Sequence, residues 1–134
     1  HRVSALRTFA FPGPSIKIPP VETLSLGAGV EIIKQAGDFA ITSQRHYIPV
    51  RHVAPLQTYE RDFVEVAEHF VGTPYLWGGK SSLGIDCSGL VQVALGACGI
   101  AAPRDSDMQA ETIGKALPLS EGLPALKRGA ADFL

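Results

Sequence analysis

The chain has 134 residues, 46% of them hydrophobic and 19% charged, with a net charge of −1, which suffices to bury a core in one domain or two small ones. Near-balanced charge without a basic, aromatic-interleaved stripe argues against nucleic-acid binding. The longest apolar stretch, 89–103, is broken by Gln92 and is too short to span a bilayer.

The chain opens His1-Arg2-Val3-Ser4, with neither an initiator Met nor the charged-then-apolar layout of a leader, and it stops at the apolar Leu134. It is expected to be processed or to be a piece of something longer. In the first 56 residues, Pro12-Gly13-Pro14, Pro19-Pro20, Gly27-Ala28-Gly29 and Gly37-Asp38 punctuate short apolar runs at Ser15–Ile18, Val30–Ile33, Phe39–Ile41 and Tyr47–Val50. Short β-type runs between turn residues predict a small antiparallel barrel, with Pro19 and Pro49 at strand ends or edges. Pro55-Leu56-Gln57 is a hinge candidate, dividing the chain into 1–57 and 58–134.

A helix is predicted from about Thr58, with Phe63, Val66, Ala67 and Phe70 on its buried face and Gly72 and Pro74 ending it. A second is predicted from about Asp86, with Cys87, Leu90, Val91, Ala94, Leu95 and Cys98 in one stripe and Gly99 as the stop. A third follows Pro103, with Ser106 as N-cap and Gln109 reaching back in a capping box. After Leu117-Pro118 the chain reads as loop to Leu126. The two cysteines, eleven positions apart on one helix, would lie ~16 Å apart, beyond disulfide reach. Neither sits in a CxxC pair, so no metal or cofactor is expected.

The segment 72–92, GTPYLWGGKSSLGIDCSGLVQ, carries the chemistry. It is rich in glycine and delivers Cys87 to the first turn of a helix, where unpaired N–H groups and the helix dipole favour thiolate over thiol and could stabilise an oxyanion. The alternative is that Cys87 merely opens the buried stripe, since free cysteine is among the most buried residue types. The polar neighbours Asp86 and Ser88 weigh against that, whereas Cys98, between Ala97 and Gly99, fits the core.

Tyr75-Leu76-Trp77-Gly78-Gly79, followed by Asp86-Cys87-Ser88-Gly89-Leu90-Val91-Gln92, resembles the nucleophile region of the NlpC-type cysteine peptidases, papain-like enzymes that cut peptidoglycan stem peptides. The similarity continues through Pro103-Arg104-Asp105-Ser106 to Gln109 and on to Leu126-Lys127-Arg128-Gly129. The first 56 residues resemble the bacterial SH3-like barrel that precedes this domain in wall-peptide-recycling members, with 47–53 as its last strand. The resemblance implies an α+β chain: an SH3-like β-barrel, then the helical N-terminal half of a papain-like domain. It implies Cys87 as nucleophile and Tyr75 beside it, orienting substrate or assisting the oxyanion. Asp86 and Ser88 would flank the cleft, Asp86 helping to bind the free amino terminus of an L-Ala-γ-D-Glu-diamino-acid peptide. Ser106 would line the cleft or act only as a cap. Trp77 reads as packing under the glycine turn, and Tyr47 either reaches the cleft or is an ordinary strand aromatic.

A thiol nucleophile needs a base to form an ion pair and to protonate the leaving amine. The resemblance implies a histidine after the Leu-Lys-Arg-Gly turn, but His1, His46, His52 and His69 all precede Cys87. The expectation is therefore a cysteine endopeptidase lineage whose 134-residue chain is inactive alone and prone to self-association. Its partners are expected to be peptidoglycan-derived peptides, and its compartment cytoplasmic rather than secreted. Two other classes compete: a non-catalytic module binding wall peptides or a partner, and a cysteine amidase or acyl transferase on the same fold.

Overall fold

A computed structural model describes residues 1–115. It divides into two compact units: His1–Tyr59 with Ser81–Leu83, and Glu60–Lys80 with Gly84 onward. The expected loop at 118–126 and the Leu126–Gly129 similarity lie outside the described residues.

The first unit is built of short antiparallel strands: β1 (Arg2–Val3), β2 (Arg7–Ala10), β3 (Glu22–Ser25), β4 (Ile32–Ala36), β5 (Phe39–Thr42), β6 (Tyr47–Pro49) and β7 (Val53–Ala54). They pair as β1–β7, β2–β3 and the meander β4–β5–β6. An isolated bridge between Phe11 and Tyr47 links the second pair to the meander, but no closed barrel is found among the described residues. Val3, Ala10, Phe11, Leu26, Ala40, Ile41 and Ile48 form its core. The ends are tied together where Arg2, itself buried, donates to the Thr58 carbonyl.

The runs at 39–41 and 47–50 become β5 and β6, and the run at 30–33 moves on by two residues to β4. The run Ser15–Ile18 forms no strand. Ser15 instead accepts the Lys17 N–H on its own hydroxyl and donates its N–H to Gly13, the local turn chemistry that competes with a ladder. Pro49 is the last residue of its strand, where a missing donor costs nothing.

In the second unit, α1 spans Phe63–Glu68 rather than starting near Thr58. Asp62 decides the start: it is the N-cap, and its carboxylate accepts the N–H groups of Val64 and Glu65. Gly72, at φ +90°, then turns the chain. A short hairpin, β8 (Lys80–Ser81) and β9 (Gly84–Ile85), leads into α2 (Cys87–Ala97), which packs on α1. Val66, Phe70, Ile85, Val91, Ala94, Leu95 and Ala97 are buried here, each large aliphatic contributing roughly 1.5–3 kcal/mol. Cys98 is not core: it is half-buried at the C-cap of α2.

The next helix, α3, spans Ser106–Thr112, and its N-cap is Asp105, not Ser106. No capping box forms. Gln109 is fully buried, and its amide donates to the carbonyls of Ser88 (2.9 Å) and Pro103 (2.7 Å). These two bonds from Nε2 hold the side chain inside the unit, away from the backbone N–H that a capping box would offer to its Oε1. Among the described residues no helix is long and apolar enough to cross a membrane.

Two glycines of α2 make opposite predictions. A Cβ on Gly89 would lie 2.4 Å from the Gly79 carbonyl oxygen and 2.9 Å from Asp86 Oδ1, whereas one on Gly96 would meet nothing within 4 Å. Gly89→Ala should therefore cost about 1–3 kcal/mol through overpacking against backbone. Gly96→Ala should be neutral or stabilise by up to ~1 kcal/mol. Urea unfolding of both variants measures the contrast.

Candidate active site

The site starts from Asp86. Its backbone is extended at the N-cap of α2, and its Oδ1 accepts the Gly89 N–H at 2.7 Å. Its Oδ2 accepts the Gly78 N–H at 2.9 Å, so one carboxylate joins the glycine-rich loop to the helix. Backbone contacts run alongside: Leu76 N–H to the Ile85 carbonyl, Ile85 N–H to Pro74, and Asp86 N–H to Gly79. The resulting bridge between Tyr75 and Ile85 brings Tyr75 to the strand that leads directly into Cys87.

These residues enclose a cleft of about 530 Å³ lined by Tyr75, Trp77, Gly78, Asp86, Cys87, Ser88 and Arg104 through Asp107. The structure thus brings together five of the six residues singled out from the sequence: Cys87, Tyr75, Asp86, Ser88 and Ser106. The sixth, Tyr47, belongs to the first unit, where it is bridged to Phe11 and meets the Phe39 ring edge-on. Cys87 is half-buried. The N–H groups of Cys87 and Ser88 precede the first intrahelical bond, from Leu90 N–H to the Asp86 carbonyl, and carry no hydrogen bond among the described residues. Both are placed where a helix N-terminus can stabilise negative charge. Trp77 is 87% exposed on the cleft wall, so it is not packed beneath the glycine turn.

Sequence reasoning missed Arg104. Its guanidinium donates to Asp86 Oδ1 (3.0 Å) and Oδ2 (2.8 Å), to Ser88 Oγ (2.7 Å) and to the Gly79 carbonyl (3.5 Å). Arg104 holds the Asp86 carboxyl well below the usual carboxylate range, with the Gly89 and Gly78 N–H groups adding to the effect against the cost of burial. Asp86 in turn raises Arg104 further. With Ser88 also donating to Oδ1 at 3.3 Å, both oxygens of Asp86 are engaged by the protein itself. The Pro-Arg-Asp-Ser string held this information, but an 18-residue separation gives no periodic signal that it pairs with Asp86.

No histidine lines the cleft among the described residues. His52 is bonded through Nδ1 to Thr8 Oγ1 at 2.7 Å, and burial, with Arg51 nearby, lowers its pKa. His46 lies just before β6 and His69 caps the exposed end of α1. The described residues contain no group of three metal-ligating side chains.

Residues 72–124 match the NlpC/P60 family model. Among similar proteins, the gamma-D-glutamyl-L-lysine dipeptidyl-peptidase of Bacillus subtilis (strain 168) is 43% identical over 60 residues, 45% of this chain and 20% of that one. Dipeptidyl-peptidase 6 of Lysinibacillus sphaericus is 42% identical over 55 residues, 41% of this chain and 20% of its own. The chain therefore matches about a fifth of the length of these relatives. The crystal structure of an NlpC/P60 family protein from Bacillus cereus ATCC 10987 superposes with a TM-score of 0.69 at 21% identity, covering 89% of this chain and 42% of that one. The fold is shared.

The segment that matches this family model should carry an acid-sensitive lock. Asp86 has a folded pKa depressed from 3.8, so its stabilisation is fully present above that value and is lost as pH falls toward the folded value. Between about pH 4 and pH 2 the wild type should lose stability to urea more steeply than Asp86→Asn, which lacks the charge at every pH. Parallel acid limbs would contradict this.

Proposed function

We propose that the chain carries the nucleophile half of a cysteine peptidase acting on peptidoglycan stem peptides, with Cys87 as nucleophile. The observation that carries this reading is the position of Cys87: first residue of α2, on the wall of a cleft shared with Tyr75 and Ser106. Attack of the Cys87 sulfur on a peptide carbonyl would place negative charge near the free N–H groups of the helix start, with the Tyr75 hydroxyl as a further donor. The name of the similar Bacillus subtilis protein, a gamma-D-glutamyl-L-lysine dipeptidyl-peptidase, supports a γ-D-glutamyl bond as the scissile one. We read the first unit as the SH3-like module expected from the sequence.

The amino-terminal contact is reassigned within this reading. Asp86 is neutralised by Arg104, whereas Asp105 and Asp107 are exposed and line the same cleft. A peptide ammonium would be attracted to those two carboxylates, and Asp86 would act by holding the loop and helix together.

A second reading is a non-catalytic peptide-binding module, favoured by a cleft lining without histidine among the described residues. The two separate on one experiment. The chain extended at its C-terminus to the length of its relatives' peptidase segment should release L-Ala-γ-D-Glu from a muropeptide. Cys87→Ala should lower that rate by at least about 10³-fold, and the 134-residue chain alone should show essentially none. Muropeptide binding by the longer protein, without cleavage and unaffected by Cys87→Ala, would favour the binding module instead.

A further inference from the structure

Cys87 is bracketed by two side chains, Asp86 before it and Ser88 after it, and one guanidinium grips both. The same group reaches the Gly79 carbonyl on the glycine-rich loop. Arg104 itself is about one-third exposed and forms part of the cleft wall. Its bonds therefore converge on the reactive centre and not on the apolar core between α1 and α2.

We propose that Arg104 is a positioning residue that fixes the Cys87 sulfur relative to the Tyr75–Gly79 loop and keeps the neighbouring carboxylate neutralised. This deepens the reading of Cys87 as the nucleophile and rests on it. Only a planar fork meets this set of acceptors: two parallel bonds to a carboxylate, one to a hydroxyl and one to a carbonyl. A lysine would replace the charge but not the geometry. Close packing leaves little room for adjustment, because Gly89 already approaches the Gly79 carbonyl and Asp86 at the limit a glycine allows. Without Arg104, the buried Asp86 charge would retain its backbone N–H donors and Ser88 but face the thiolate uncompensated. The ionisable groups around the cleft are then Tyr75, Asp86, Asp105 and Asp107, and none of them supplies a cation.

The test uses the 134-residue protein and iodoacetamide, with Cys87 and Cys98 read separately by peptide mass spectrometry across neutral and mildly alkaline pH. Cys98, at the far end of α2, is the internal reference. Arg104→Met should slow Cys87 alkylation at neutral pH on the order of tenfold, with the Cys98 rate unchanged. Arg104→Lys should recover part of the rate at neutral pH, because it restores the charge. A purely structural role would speed or slow both cysteines together, and that result overturns the proposal. If Arg104→Met does not fold, Arg104→Lys decides: Cys87 kinetics identical to wild type in the folded variant would likewise overturn it. Because the readout is thiol reactivity and not cleavage, a negative result here is distinct from a failure of the longer protein to cut muropeptides.

Discussion

The carboxylate of Asp86 is the constraint on which the rest of the site depends. It is buried, it is charged, and burial of a charge is tolerated only when the charge is paired and its lone pairs are filled. Here the filling groups come from three places in the chain: Gly78 in the loop, Ser88 and Gly89 at the start of α2, and Arg104 before α3. Satisfying one side chain therefore sets the relative position of three segments. The cleft is the space left between them. Removing Arg104 would leave the buried Asp86 charge without its cation, so the lock is more costly to break from that side than its net contribution to stability would suggest.

From this lock the chemistry of the second unit follows in order. Asp86 ends the incoming strand and caps the helix, so Cys87 falls on the first turn, with two backbone N–H groups beside it that the helix cannot use. The bridge between Tyr75 and Ile85 is the loop's other attachment and puts a phenol on the same wall. Gln109, buried and bonded to the Ser88 carbonyl, braces the turn from the α3 side. The exposed residues of the cleft, Tyr75, Trp77, Gly78, Asp105, Ser106 and Asp107, are those placed to meet a ligand. The division between buried residues that build the site and exposed residues that face the solvent is the same division that separates positioning from recognition.

Much of this unit was legible in the sequence because its signals are local. An aspartate before an apolar stripe marked the start of α2, and a glycine at φ +76° marks its end at Gly99. What was not legible required partners distant in the chain. Ser106 and Asp105 are both good caps, and choosing between them required knowing that Gln109 is drawn away to Ser88 and Pro103. Trp77 beside two glycines reads as packing until the loop is seen to turn its indole outward. In the first unit, β5 and β6 are continuous apolar runs and were found. The pair β2–β3 was missed because β2 alternates, with Thr8 and Ala10 buried while Arg7 and Phe9 face outward, and β3 buries none of its residues fully, so no apolar run appears. The Ser15–Ile18 run is apolar enough for a strand but closes on itself through its own serine hydroxyl.

The central claim is that the cleft binds a wall peptide with its scissile carbonyl at Cys87. Its most direct measurement is covalent capture by an L-Ala-γ-D-Glu derivative whose γ-carbonyl bears a chloromethyl ketone, with the adduct located by peptide mass spectrometry. The account predicts alkylation at Cys87 and not at Cys98, saturable with reagent concentration, and slower when the alanine amine is acetylated and no longer attracted to Asp105 and Asp107. Equal labelling of both cysteines, with no saturation and no effect of acetylation, would contradict it.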